Sequence, residues 1–129
     1  MISLSSTPNQ FLLDWANTMK TNDMNKILSL YDKNAVLLGT IANSFEVKRL
    51  NIKDYFIEFL GKNVIQNVTY LSIINQKIST DQNILISSGV YVFDMANGPS
   101  VQARFSFVFD TTQPDFILNH HSSIPFDND

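Results

Sequence analysis

The sequence predicts an α+β domain in which helices come first and a meander of strands follows. Two observations carry this. Up to Gly61 the apolar residues recur at helical spacing, and from Val64 onward the chain turns to long β-branched and aromatic runs separated by turn-forming residues. Thr7-Pro8 opens the first helix, because Thr caps free amides and Pro is tolerated at the first helical position. Phe11, Leu12, Trp15 and Met19 then form one apolar face through about Lys20. Asn22-Asp23 offers a second cap, and Met24, Ile27, Leu28 and Tyr31 continue as a short second helix. Ala35 to Gly39 reads as a buried strand and Phe45 to Val47 as a small edge piece. Asn51 caps a third helix whose stripe is Ile52, Tyr55, Phe56 and Phe59-Leu60, with Gly61 as its stop. Val64 to Ile78, Ile84 to Met95, Val101 to Asp110 and Phe116 to Ile124 are consecutive hairpin strands, and the sheet is expected to curl over the helices. Asp127-Asn128-Asp129 reads as a tail.

A chain of 129 residues, 44% hydrophobic and 16% charged, suits a single domain spanning residues 1–129. The absence of cysteine removes disulfides, thiolate metal sites and cysteine nucleophiles. A net charge of −3 with scattered basic residues offers no stripe for a phosphate backbone, so nucleic acid is not an expected partner. The lysines of the second and third helices alternate with Asp23, Asp32, Asp54 and Glu58, which describes solvated faces and not a membrane-surface helix. No run approaches the roughly 18 apolar residues of a membrane span. Met1 to Pro8 lacks the basic and apolar regions of a secretory signal, so a cytoplasmic protein is expected and the Asn67-Val68-Thr69 sequon carries no weight.

The order LSLYDKNAVLL, IKDYFIEFLGK, SSGVYVFD, ARFSFVFD and FILNHHSSIP resembles the nuclear-transport-factor-2-like superfamily of cone-shaped, cystatin-like α+β domains. Within it, the chain is similar to the association (hub) domain of calcium/calmodulin-dependent protein kinase II and its small stand-alone bacterial relatives. The resemblance runs from about Phe11 to Pro125, and rests most on Ser88-Gly89-Val90-Tyr91, Ala103-Arg104-Phe105 and His120-His121-Ser122-Ser123 taken in that order. It implies N-terminal helices packed on a curved, mostly antiparallel sheet, a pocket at the open end of the cone, and dimers or larger homo-oligomers formed through the outer sheet face. The chain departs from its relatives in two ways. Ile124-Pro125-Phe126 stands where stand-alone members usually have Met-Pro-Glu, and Arg49 and Arg104 are the only arginines where the kinase hub has several around its pocket. No kinase domain accompanies it, so neither phosphotransfer nor calmodulin regulation is implied.

Arg104 lies mid-strand, where a guanidinium needs a carboxylate or an anionic ligand if it is buried. It is either a pocket anchor for a polar or acidic ligand or a structural residue exposed on the sheet or paired with Asp94, Glu46 or Glu58. His120 and His121 are adjacent on a strand, so only one can face a given cavity, which argues against a two-histidine metal site. His121 is the expected pocket histidine and the other an outward or interface residue. Trp15, Tyr55 and Tyr91 combine aromatic walls with polar tips, which suits either a core or a ligand cavity. No metal and no cofactor is expected, and Ser88, Ser122 and Ser123 have no nucleophile-elbow context.

Two functional classes follow. One is a small homo-oligomeric association module with a ligand pocket, supported by the alternating Phe105, Phe107 and Phe109, which need a core or a partner. The other is a SnoaL-like cyclase, ketosteroid isomerase or dehydratase, which needs a carboxylate or histidine base in an apolar pocket. Its candidate carboxylates, Asp14, Asp32, Asp94 and Asp110, fall near element ends. The association module is the expected reading.

Overall fold

The helices and strands follow from how each segment disposes of its apolar side chains. The computed structural model describes residues 7–39, 52–78 and 80–124. The expected edge piece at Phe45 to Val47, the Asn51 cap and the tail at Asp127 lie outside these residues, as do Arg49 and Glu46. Helix α1 (Thr7–Met19) buries Leu12, Trp15, Ala16 and Met19, a spacing that draws one face toward the sheet. Asn22 follows in the left-handed region at φ 53°, where Asn is among the few side chains tolerated. Helix α2 (Met24–Leu28) is capped by Asp23, whose carboxylate accepts from the amides of Asn25 and Lys26 at 3.0 and 3.2 Å.

Tyr31 does not complete that helix. It opens strand β1 (Tyr31–Leu38), because β1 runs parallel to the last strand and Tyr31 pairs with Ile117 there. Helix α3 (Ile52–Lys62) buries Tyr55, Phe56 and Phe59 and continues through Gly61. It ends at Lys62, just before Asn63, whose backbone and side-chain N–H groups both donate to the Phe59 carbonyl. Glu58 and Lys62 form an exposed ion pair at 3.1 Å on the same helix.

Strands β2 (Ile65–Ile78), β3 (Asp81–Met95), β4 (Val101–Asp110) and β5 (Ile117–Ser123) join β1 in one curved sheet ordered β1-β5-β4-β3-β2. All pairings except β1 with β5 are antiparallel. The concave face carries Tyr91 and Phe93 from β3, Ala103, Phe105, Phe107 and Phe109 from β4, and packs on α1 and α3. Among the described residues, no helix is long and apolar enough to cross a membrane.

One glycine is dictated by the sheet. The register of β2 slips between Tyr70 and Ser72, which carries the Ser72 backbone over Gly89 on β3. A Cβ at Gly89 would collide with the Ser72 carbonyl oxygen. Gly89→Ala is therefore expected to lower stability by about 1–3 kcal/mol, the usual range for overpacking. The shift in urea midpoint reads this directly, and an unchanged midpoint would show that the bulge relaxes freely.

Candidate functional site

The chemistry-bearing side chains gather where α1 crosses β1, β5 and β3. His120 sits on β5 opposite Leu37 of β1 and Phe107 of β4, and is only 3% exposed. Its ring stacks on Phe107 with centroids 4.1 Å apart, and the edge of the contact is closed by Trp15 at 5.3 Å. Both ring nitrogens are engaged: Nδ1 lies 2.8 Å from the Tyr31 hydroxyl and Nε2 lies 3.1 Å from the Tyr91 hydroxyl. Trp15 Nε1 donates to the same Tyr31 oxygen at 3.2 Å.

An indole N–H can only donate, so the Tyr31 oxygen accepts from Trp15 and keeps its own proton available for His120 Nδ1. In the tautomer that uses it, the histidine proton resides on Nε2 and is donated to Tyr91, whose hydroxyl is in turn hydrogen-bonded to Ser122. Every polar atom of the buried imidazole is thus satisfied in a neutral state. Burial, with a smaller contribution from the adjacent His121, pushes the His120 pKa down to about 3. Burial likewise raises Tyr31 and Tyr91 well above the ordinary tyrosine value. None of the three is poised to exchange a proton near neutral pH.

A cavity of about 20 Å³ remains beside this network. Its wall is Trp15, Tyr91, Phe93, His120 and Ser122, and its cover is Met19 of α1 with Tyr55, Phe56 and Phe59 of α3. That volume holds about one water molecule. Trp15, Tyr55 and Tyr91 stand where the sequence places them, on the cavity. Arg104 and His121 do not. Arg104 is exposed on the convex face, between its buried neighbours Ala103 and Phe105, and the expectation that it anchors a pocket ligand is corrected by that alternation. His121 is half-buried on the same convex face, opposite Ser106.

The inward histidine is His120 because of a β-bulge. Ile117 and Phe109 pair, but Val108 pairs with Asn119, so Leu118 is an extra residue in β5. Strict alternation from the buried Ile117 would turn Asn119 and His121 inward; the bulge turns His120 and Ser122 inward instead. Sequence reading also missed Tyr31, which it assigned to a helix face. A tyrosine at the seam of two elements, with a polar tip that burial obliges to find a partner, was the available signal.

The carboxylates lie elsewhere. Asp32 accepts from the Asn34 amide, Asp94 from the Ser100 hydroxyl, and Asp110 from Thr112, whose hydroxyl and amide hold that carboxyl below its usual value. Asp14 lines a separate open groove with Phe11, Pro114 and Phe116 and accepts from Gln10 at 2.7 Å. Among the described residues there is no cluster of three His, Cys, Asp or Glu side chains that would hold a metal ion.

Two outcomes test this network. Folding lowers the proton affinity of His120 from its ordinary value of 6.5, so the unfolded chain binds the proton more tightly. The stabilisation is complete above that value and is lost as pH falls toward 3, at up to roughly 1.4 kcal/mol per pH unit. Urea melts between these limits should show a slope that His120→Gln lacks; equal slopes would place His120 in a solvated setting. Tyr31→Phe strands both Trp15 and His120, and is expected to cost about 2–4 kcal/mol, more than Tyr91→Phe. Thermal melts of the two variants rank them, and the reverse order would contradict the donor chain.

No family profile matches the sequence, and no curated protein matches it. Solved structures do. A protein of Xanthomonas campestris provisionally described as a calcium/calmodulin-dependent protein kinase II association domain is 28% identical, with a TM-score of 0.75 over 92% of this chain and 86% of that one. A protein of Parabacteroides distasonis provisionally described as a ketosteroid isomerase is 12% identical, with a TM-score of 0.73 over 97% and 92%. A nuclear-transport-factor-2-like protein of unknown function from Pseudomonas putida is 11% identical, with a TM-score of 0.71 over 95% and 87%. Helices packed into a curved sheet in this order, matched over nearly the whole length of these chains, make the fold of this protein that of the nuclear-transport-factor-2-like superfamily.

Proposed function

We propose that this protein is a homo-oligomeric association module that works through the convex face of its sheet. The observation that carries this reading is the makeup of that face. Rows set by strand register bring Ile86, Val108 and Val36 into line with Asn119, and Ser88, Ser106 and His121 into line with Leu38. The centre is therefore aliphatic and small-polar. Arg104 is the one permanent cation on the three inner strands of this face, and Asp94 and Asp110 lie at strand ends. A broad surface with few charges to desolvate suits a second copy of itself. The Xanthomonas protein, whose description names an association domain, supports the same reading by analogy.

The interior supports association over catalysis. A base working at neutral pH needs a pKa near that pH and room for a substrate. The cavity here admits one water-sized molecule, and burial holds its His120 and Tyr91 neutral. A small polar ligand of larger size would enter only with displacement of α3, whose Tyr55, Phe56 and Phe59 form the cover.

The test is the mass in solution. The protein is expected to sediment as a dimer or a multiple of one, and Val108→Glu, which puts a carboxylate amid the aliphatic row, is expected to yield smaller species with an unchanged far-ultraviolet spectrum. A wild-type monomer at all concentrations would end the association reading.

A further inference from the structure

The two edges of the sheet are treated differently by the sequence. Edge strand β1 is eight residues long and carries Asp32 and Lys33, charges that discourage pairing with another chain. Edge strand β2 is fourteen residues long and carries one charge, Lys77. Its first part is occupied. The side chain of Asn22 accepts from the Ile65 amide at 2.8 Å and donates to the Ile65 carbonyl at 2.9 Å, pairing with that residue as a neighbouring strand would. The Tyr70 hydroxyl donates to the Leu12 carbonyl at 2.7 Å, fastening the next turn of the strand to α1. Beyond the bulge at Tyr70 to Ser72 the strand runs in regular register with β3 from Ser72 to Lys77. Among the described residues no strand pairs with its outer side there. Leu71 and Ile74 are 58% and 69% exposed on this stretch.

We propose that the segment from Leu71 to Lys77 pairs antiparallel with the same segment of a second copy of this chain, joining two sheets edge to edge. A two-fold axis at Ile74 sets Ile74 against the partner's Ile74, a β-branched cross-strand pair of the kind that stabilises antiparallel sheets. The same register places Ser72 against the partner's Gln76 and Ile73 against the partner's Asn75, so residues of like orientation meet throughout. Lys77 falls opposite the partner's Leu71, whose side chain can cover the lysine stem. The two lysines then lie about 20 Å apart at the strand rise per residue, beyond the screening length of physiological salt. The segment is thus complementary to itself in face, charge and length. This contact is distinct from the convex face and does not depend on it. A copy using both surfaces would belong to an assembly larger than a dimer.

Amide hydrogen exchange and sedimentation on the same samples test the contact, at protein concentrations from about 1 to 100 µM, where contacts of modest area dissociate. In the wild-type protein the amides of residues 72–77 are expected to gain protection as concentration rises. Ile74→Lys, which sets two cations together on the axis, should remove that gain and weaken association about tenfold or more. Ile74→Thr keeps a β-branched residue without charge and controls for folding. Val108→Glu, which reads the convex face separately, should leave the protection of residues 72–77 intact. Protection of these amides that stays constant across the concentration range would overturn the edge contact, whatever the convex face does. So would an Ile74→Lys protein with wild-type association.

Discussion

A single imidazole in the core constrains the arrangement around it. His120 is buried with both nitrogens engaged, so three other elements must deliver hydroxyls or an aromatic edge to fixed places: Tyr31 from β1, Tyr91 from β3 and Trp15 from α1. An imidazole left half-satisfied in this interior would cost more than the apolar residue it replaces. The network is therefore a registry device as much as a stabilising one. If β1 slipped by one residue against β5, Tyr31 would be carried away from Nδ1, and the Trp15 donor would lose its acceptor at the same moment. The parallel β1–β5 pairing, the least local pairing in the sheet, is the one pinned by this chemistry.

The same packing gives the sheet two unlike faces. Concave positions of β3, β4 and β5 are filled by Tyr91, Phe93, Phe105, Phe107, Phe109 and His120, whose rings meet one another and Trp15 at 4.1–6.5 Å. Among the described residues, the cavity beside His120 is water-sized. Convex positions of the same strands carry valine, serine, Arg104 and His121. The fold is shared with proteins of differing description.

Irregularities in the sheet do the work of placement. The bulge at Tyr70 to Ser72 requires Gly89 and separates the fastened part of β2 from its open part. The bulge at Leu118 decides which histidine is buried. Asn22, held in the left-handed region after α1, clasps both backbone groups of Ile65 and so ties the helical layer to the sheet edge. Each is one residue acting on the register of many.

The sequence by itself determined the element order, the helical faces of α1 and α3, the shared face of Phe105, Phe107 and Phe109, and the membership of Trp15, Tyr55 and Tyr91 in the interior, because these follow from periodicities of 3.6 and 2 that local chemistry imposes; that the phenylalanines face the core and not a partner was decided by the fold. Tertiary structure alone decided that Tyr31 leaves a helical pattern to start a strand, that α3 runs through Gly61 to Lys62, which of its open alternatives Arg104 takes, and that His120 rather than His121 is enclosed. The last of these turns on a one-residue bulge. Alternation is exact only within an unbroken ladder, and no local signal in Phe116 to Ser123 marks Leu118 as the extra residue; only its pairing with β4 does.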